Sequence, residues 1–134
     1  MPSVMNKPSS EVRTGKAKVL LVDDHPIVRQ GLGQLINEEP DLAIVAEAED
    51  FPQALAALDS SHPDVAIVDI SLKDRSGIEL IKEIRTKRPE LPILVLSMHD
   101  ESLHAERVLR AGAKGYIMKQ EATEQVMNAI RRVL

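Results

Sequence analysis

The sequence contains no cysteine and no tryptophan, and Phe51 and Tyr116 are its only phenylalanine and tyrosine. Without cysteine the chain can form neither disulfides nor thiolate metal sites, and thiol nucleophiles are excluded. This usage is compatible with a reducing cytosol. Because aromatic side chains are so few, a hydrophobic core must be built from aliphatic residues.

Long apolar runs and clusters of positive charge are also absent. No run approaches the roughly 20 apolar residues that a membrane-spanning helix needs, and the N-terminus lacks the apolar segment of a secretory signal. The net charge of −4, without a basic block, argues against nucleic acid being bound by this chain itself. We therefore expect a soluble, cytoplasmic protein that has no membrane partner.

The length of 134 residues is that of one domain. Residues 1–17 hold prolines, serines and several cations but show no hydrophobic period, so we predict a flexible leader there. The remaining residues, 18–134, are predicted to form a single folded domain.

A short apolar segment, Val65–Asp69, is rich in β-branched residues and ends abruptly in a carboxylate. Continuous hydrophobicity over so few residues predicts a strand that is covered on both faces of a parallel sheet. Comparable strands are predicted at residues 18–22, 42–46, 93–96 and 115–118. Helical patterns separate the five strands, which predicts an α/β fold: a three-layer, doubly wound parallel sheet.

Each predicted helix carries an apolar stripe, and the first three also carry a start signal. Pro26 suits a first helical turn, and Asp50–Gln53 and Ser76–Glu79 read as capping patterns. The predicted anchors are Ile27, Val28, Leu32, Leu35 and Ile36; Leu55 and Leu58; Ile78, Ile81 and Ile84; Leu103, Val108 and Leu109; and Ala122, Val126, Ala129, Ile130 and Val133. The helix at about 100–111 has the fewest large anchors and is expected to be the loosest. Met127 and Leu134 widen the last stripe, which hints at a partner surface, but core positions are favoured for Met127 and Ile130.

Polar side chains follow the predicted strands at the edge where open α/β sheets bind ligands. They are Asp23, Asp24, Asp69, Ser97 and Lys119. Clustered carboxylates repel one another unless a cation neutralises them, and oxygen donors are the ligands that Mg²⁺, or Mn²⁺, prefers. With a hydroxyl and an amine beside the metal, such a site can hold the three oxygens of a phosphoryl group.

In these features the sequence strongly resembles the receiver domain of two-component response regulators, over about residues 17–134. The matching features, in order, are Val-Asp23-Asp24-His, Val-Asp69 with Gly77 eight residues later, Leu-Ser97, and Lys119 with an aromatic residue three positions before it. Each motif alone is weak, but their order and spacing together are highly specific. The resemblance implies the flavodoxin-like strand order 2-1-3-4-5.

The resemblance also implies a role for each acid. Asp69 would be the nucleophile that accepts a phosphoryl group from a sensor histidine kinase. Asp24 and Asp69 would bind Mg²⁺ together with the backbone carbonyl of Ser71, and Asp23 would act through water. The protein is accordingly expected to be a signalling phospho-acceptor, not an enzyme with a separate substrate.

Three further residues match the family's switch apparatus. Ser97 and Tyr116 would form a pair in which the hydroxyl turns toward the new phosphoryl group and the ring moves inward, while Lys119 would hold a phosphoryl oxygen. Lys73 and Gln120 stand where many receivers have proline. A non-proline cis bond costs about 2.5–4 kcal/mol, so we expect a trans Lys119–Gln120 bond and a displaced loop.

Residues 24–32 and 110–116 look particularly like the NarL/FixJ subfamily, whose members usually carry a C-terminal LuxR-type helix-turn-helix that binds DNA. That domain is missing here, so we expect either an isolated receiver, which is favoured, or a natural stand-alone receiver. The output would be transcription regulation, with phosphorylation-dependent homodimerisation through helices 4 and 5 or helices 1 and 5.

Two other functions compete with this interpretation. A phosphohydrolase of the haloacid-dehalogenase type needs a second aspartate two residues after the nucleophile, where Ser71 stands. A flavin-binding module needs a Ser/Thr/Gly phosphate loop after strand 1 and more aromatic residues. The histidines His25, His62, His99 and His104 lack metal-ligand spacing, and no metal is assigned to them.

Overall fold

The computed structural model describes residues 15–70, 77–97, 102–118 and 123–134. Within these ranges strands and helices alternate along the chain. The strands are β1 (Ala17–Val22), β2 (Leu42–Ala48), β3 (Val65–Asp69), β4 (Ile93–Ser97) and β5 (Gly115–Met118). The helices are α1 (Pro26–Asn37), α2 (Phe51–Ser61), α3 (Gly77–Lys87), α4 (Ser102–Ala111) and α5 (Thr123–Val133).

The strands form one parallel sheet in the order β2-β1-β3-β4-β5, which confirms the predicted fold. Strand β1 lies between β2 and β3, so the direction of winding reverses there. Val22 of β1 pairs with Val68 of β3, and Asp69 pairs with Leu96 of β4. The acids that follow β1 and end β3 therefore meet at the carboxyl edge, where ligands bind in sheets of this kind.

The sheet separates two aliphatic clusters. Along β1, Leu20 and Val22 face one side while Val19 and Leu21 face the other, as the period of a strand requires. Helices α2, α3 and α4 cover the first side with Phe51, Ala54, Leu58, Leu80, Ile81, Ile84 and Val108. Helices α1 and α5 cover the second side with Ile36, Val126, Met127 and Ile130. The predicted core positions of Met127 and Ile130 are confirmed.

Three predicted anchors are wrong. Ile27 is 84% exposed, and Leu35 and Leu109 are also exposed. Ile27 lies nine residues before the buried Ile36, which is about two and a half helical turns, so the two residues project from opposite sides of α1. Leu35 and Leu109 each neighbour a buried residue and are rotated away from it by roughly 100°.

The predicted capping pattern at α2 is confirmed. The backbone N–H of Gln53 donates to Asp50 Oδ1 at 2.9 Å, and Gln53 Oε1 accepts from the backbone N–H of Glu49 at 3.1 Å. The corresponding pattern at α3 begins at Ser76, which lies outside the described residues, as does most of the predicted leader. Strand β1 begins one residue earlier than predicted, because Ala17 is buried and pairs with Leu42.

In the part of the chain that the structure describes, none of the helices has both the length and the apolarity needed to span a bilayer.

Arg131 of α5 ties that helix to the segment between α1 and β2. Its Nε and Nη2 atoms donate to the two carboxylate oxygens of Asp41, each at 2.9 Å, and Nη2 also donates to Glu39. The hydrogen bonds from Arg131 hold the pKa of Asp41 below its ordinary value. The contact joins residues that are 90 positions apart in the sequence.

Replacing Asp41 should have a small effect that depends on pH. Asp41→Asn should lower the free energy of unfolding at neutral pH by less than about 1 kcal/mol, since the pair is largely exposed. A carboxyl whose pKa is lowered by folding stabilises the fold above its unfolded value, here 3.8, and loses this effect as the pH falls through the folded pKa. The urea unfolding midpoints of Asp41→Asn and of the wild type should therefore differ less below about pH 3.8 than at neutral pH. Arg132→Gln, on the same helix, is the control. A difference that persists unchanged in acid would contradict the assignment.

Candidate functional site

Three carboxylates meet at the carboxyl edge of the two central strands. Asp23 and Asp24 follow β1, and Asp69 ends β3. Asp23 and Asp69 are fully buried, and Asp24 is nearly so. A ligand atom from each of them, together with one from His25, lies within 4.8 Å of all the others. The structure thus brings together the acids that the sequence places at this edge.

The backbone holds Asp23 in a fixed position. Its N–H donates to the carbonyl of Ala48 in β2 at 3.0 Å, and its Oδ1 accepts the N–H of His25 at 2.8 Å. The carbonyl of Asp23 accepts a hydrogen bond of 2.6 Å from Arg29 Nη1. Arg29 in turn donates to Glu47 of β2 at 3.2 Å. The guanidinium of Arg29, about one turn into α1, therefore supports the loop that carries Asp23 and Asp24.

Neither Arg29 nor Glu47 was identified from the sequence. Arg29 lies one turn after His25, so its closeness to the loop was open to inference from helical spacing alone. Its partner in β2 was not, because that contact depends on how β2 is placed against α1. Both residues contribute by positioning Asp23.

His25 is part of the same cluster. Its Nδ1 lies 3.0 Å from Asp23 Oδ1, 3.1 Å from Asp24 Oδ1 and 3.4 Å from Asp69 Oδ2. The side chain is 47% exposed, so the imidazole stands at the mouth of the site. Sequence spacing failed to find this residue because spacing rules look for a second histidine, whereas the partners of His25 are carboxylates from two strands.

Helix α3 begins directly against the backbone that carries Asp69. The N–H of Gly77 donates to the carbonyl of Ile70 at 3.1 Å. A Cβ atom at Gly77 would lie 2.6 Å from Ile70 Cα and 2.8 Å from the carbonyl oxygen of Asp69. Contacts this short are not tolerated, so only glycine fits at this position.

Ser97 and Tyr116 lie on the strands beside β3. Ser97 is the last residue of β4 and is fully buried, at the same edge of the sheet as Asp69. Tyr116 pairs with Val95, and its half-buried ring packs against the cluster covered by α2, α3 and α4. Lys119 and Ser71 lie outside the described residues, as do Lys73 and Gln120.

The donor set suits a hard divalent cation. Three carboxylates in a buried space repel one another, and a cation between them removes that repulsion. Carboxylate oxygen is a preferred ligand of Mg²⁺ and Mn²⁺, which one or two carboxylates plus a phosphate can hold. The residues present therefore fit the ion that the sequence predicts.

Comparison with known proteins gives a consistent result. Residues 19–131 match the family described as response regulator receiver domain. The chain is 38% identical over 117 residues to the oxygen regulatory protein NreC of Staphylococcus haemolyticus, covering 87% of this chain and 54% of that protein. It is 36% identical over 116 residues to the DNA-binding transcriptional activator DevR/DosR of Mycobacterium tuberculosis, again covering 87% of this chain and 54% of the relative. The chain thus spans about half the length of these relatives.

Solved structures show the same likeness. A two-component response regulator of the LuxR family from an Aurantimonas species superimposes with a TM-score of 0.84 at 37% identity, covering 89% of this chain and 85% of that one. The receiver domain of the response regulator NarL from Mycobacterium tuberculosis gives a TM-score of 0.83 at 27% identity, covering 88% and 95%.

The contact between Gly77 and the backbone of Asp69 yields a test of the site's support. Gly77→Ala should lower the free energy of unfolding by about 1–3 kcal/mol, because the added methyl group must displace backbone. The matched control is Gly31→Ala in α1, where a Cβ meets nothing within 4 Å. That change should raise the free energy of unfolding by about 0.5–1 kcal/mol, through helix propensity. Urea unfolding measures both, and equal midpoints for Gly77→Ala and wild type would refute the close approach.

Proposed function

This chain belongs to the response regulator receiver domain family, and we propose that Asp69 accepts a phosphoryl group from a sensor histidine kinase. The observation that carries the proposal is the cluster in which Asp69 lies with Asp23 and Asp24 at the carboxyl edge of the sheet. A carboxylate at that edge lies where sheets of this kind bind ligands, and its backbone is fixed by β3 and α3.

In the proposed reaction a carboxylate oxygen of Asp69 attacks the phosphorus of a phosphohistidine. The new P–O bond forms an acyl phosphate as the P–N bond breaks, and the kinase imidazole leaves with its electron pair and takes up a proton. The product adds charge and acceptor oxygens next to two other carboxylates, so it needs electrostatic compensation.

Asp24, Asp69 and the backbone carbonyl of Ser71 would hold Mg²⁺ or Mn²⁺, with Asp23 acting through water. When bound, the ion neutralises the phosphoryl oxygens and the carboxylates together. Arg29 and the N–H of His25 keep Asp23 in place for this role. Lys119 would hold a second phosphoryl oxygen as a compact positive charge.

Ser97 and Tyr116 would convert phosphorylation into a change of shape. The hydroxyl at the end of β4 can donate to the acyl phosphate at the same edge. Tyr116 belongs to the neighbouring strand and packs on the side covered by α2, α3 and α4. A shift of its ring would therefore change the packing on that side of the sheet, and above all the packing of α4, where Val108 is buried.

We further propose that the chain acts within a longer cytoplasmic protein and controls transcription through a DNA-binding domain. The support is that the relatives are about twice as long and that one of them is named as a DNA-binding transcriptional activator. On this proposal the chain itself does not touch DNA. It would promote its own phosphorylation and dephosphorylation only, and the phosphorylated form would pair as a homodimer.

Acetyl phosphate with Mg²⁺ provides the test, because a small donor removes the need for the kinase. Intact-mass measurement should show one labile phosphoryl adduct on the wild type, none on Asp69→Asn and none when EDTA removes the metal. Asp59→Asn, an exposed acid on α2, is the matched control and should label as the wild type does. An unlabelled wild type, or an adduct that survives in Asp69→Asn, would refute the proposal.

A further inference from the structure

The imidazole of His25 lies beside the three carboxylates of the candidate cation site. Three carboxylate oxygens, from three different residues, surround its Nδ1 at 3.0, 3.1 and 3.4 Å. We propose that His25 is a fourth protein ligand of the divalent-cation site, which raises the affinity of the site for transition-metal ions relative to Mg²⁺. This rests on the proposed function only in that the cation site is the same.

The separations are those of neighbouring ligands in one coordination shell. With metal–ligand bonds of about 2.1 Å, two donors at right angles in an octahedron lie about 3.0 Å apart. Of the two carboxylates that would bind the ion directly, Asp24 Oδ1 lies at 3.1 Å from Nδ1, which matches this value, and Asp69 Oδ2 at 3.4 Å, which exceeds it slightly. A cation could therefore be shared by the ring nitrogen and the carboxylates with little change in the side chains.

A hydrogen bond explains the arrangement less well. Nδ1 carries at most one proton, and one N–H can point well at only one of the oxygens. Here oxygens of Asp23, Asp24 and Asp69 approach the same nitrogen. A cation held by Nδ1, Asp24 and Asp69 would account for the two distances that a single N–H leaves unexplained.

The backbone places the ring at the site. His25 is the N-cap of α1 with extended backbone, and Pro26 follows it in the first turn. The N–H of His25 donates to Asp23 Oδ1, the same oxygen that lies nearest Nδ1. Backbone and ring thus face the same carboxylate, and ligation requires no rearrangement of the chain.

The chemical consequence is a mixed donor set. Oxygen ligands alone suit Mg²⁺ and Mn²⁺, whereas imidazole nitrogen favours ions later in the transition series, such as Co²⁺, Ni²⁺ and Zn²⁺. A receiver site with His25 among its ligands would bind these ions more tightly, relative to Mg²⁺, than a site with carboxylates alone.

The experiment compares Ni²⁺ and Mg²⁺ binding by isothermal titration calorimetry, on chains without a histidine tag, at about pH 8, where ordinary histidine side chains are neutral. In His25→Ser, which keeps a good N-cap residue, the ratio of Ni²⁺ to Mg²⁺ affinity should fall about tenfold or more. His62→Asn is the matched control: it removes another imidazole, at a left-handed position that asparagine tolerates, and should leave the ratio unchanged.

An unchanged ratio in His25→Ser would overturn the proposal. The ratio is unchanged in two cases. If both affinities rise equally, the ring competes with metal ions for the carboxylates; if neither affinity changes, the ring does not take part in metal binding. A second measurement needs no variant: in the wild type the diamagnetic ion Zn²⁺ should shift the ¹⁵N NMR signal of His25 Nδ1 strongly, and an Nδ1 signal that stays in place would also overturn the proposal. Neither readout uses a phosphoryl donor, so failure of Asp69 labelling and failure of His25 ligation remain distinguishable.

Discussion

The mutual repulsion of three buried carboxylates is the constraint on which the structure depends. Asp23, Asp24 and Asp69 lie close together because β1 and β3 are parallel neighbours whose carboxyl ends coincide. Such an arrangement destabilises the fold unless positive groups or a cation stand nearby. The chain offers a backbone N–H and the guanidinium of Arg29 around Asp23, and the cluster of carboxylates could hold a metal ion.

The backbone of Asp69 is closely packed on two sides. Gly77 brings the start of α3 against the backbone of residues 69 and 70, and the N–H of Ile70 donates to the carbonyl of Leu96 in β4. The backbone of Asp69 and Ile70 thus contacts a helix on one side and the strand bearing Ser97 on the other. On our proposal, a phosphoryl group on Asp69 would act on both at once, as a two-state switch requires.

Much of the fold follows from local pattern. Short β-branched runs and intervening helical stripes located all ten elements, because a strand and a helix repeat with different periods. The burial of individual helical residues was predicted less well. Ile27 and Leu109 are apolar but exposed, because a count of apolar residues ignores the side of the helix from which each residue projects. Contacts such as Arg131 with Asp41 join distant segments, so only the folded chain reveals them.

The clustering of the acids was predictable, because the carboxyl ends of parallel strands share one edge of the sheet. The position of His25 was not predictable, because it depends on the angle between the start of α1 and the sheet, which no sequence period encodes.

The contribution of α1 to the site is therefore distinct from that of the sheet. The strands supply the carboxylates, and α1 supplies positive or electron-pair-donating groups: the partial charge of its N-terminus, the guanidinium of Arg29 and the imidazole of His25. On our proposal for His25, the preference of the site for a cation depends on the N-cap residue of α1, while the nucleophile is held by β3. Because Asp69 is on our proposal both a metal ligand and the nucleophile, the cation and phosphoryl acceptance are coupled through β3, whereas a change at His25 alters the ligand set and leaves the nucleophile in place.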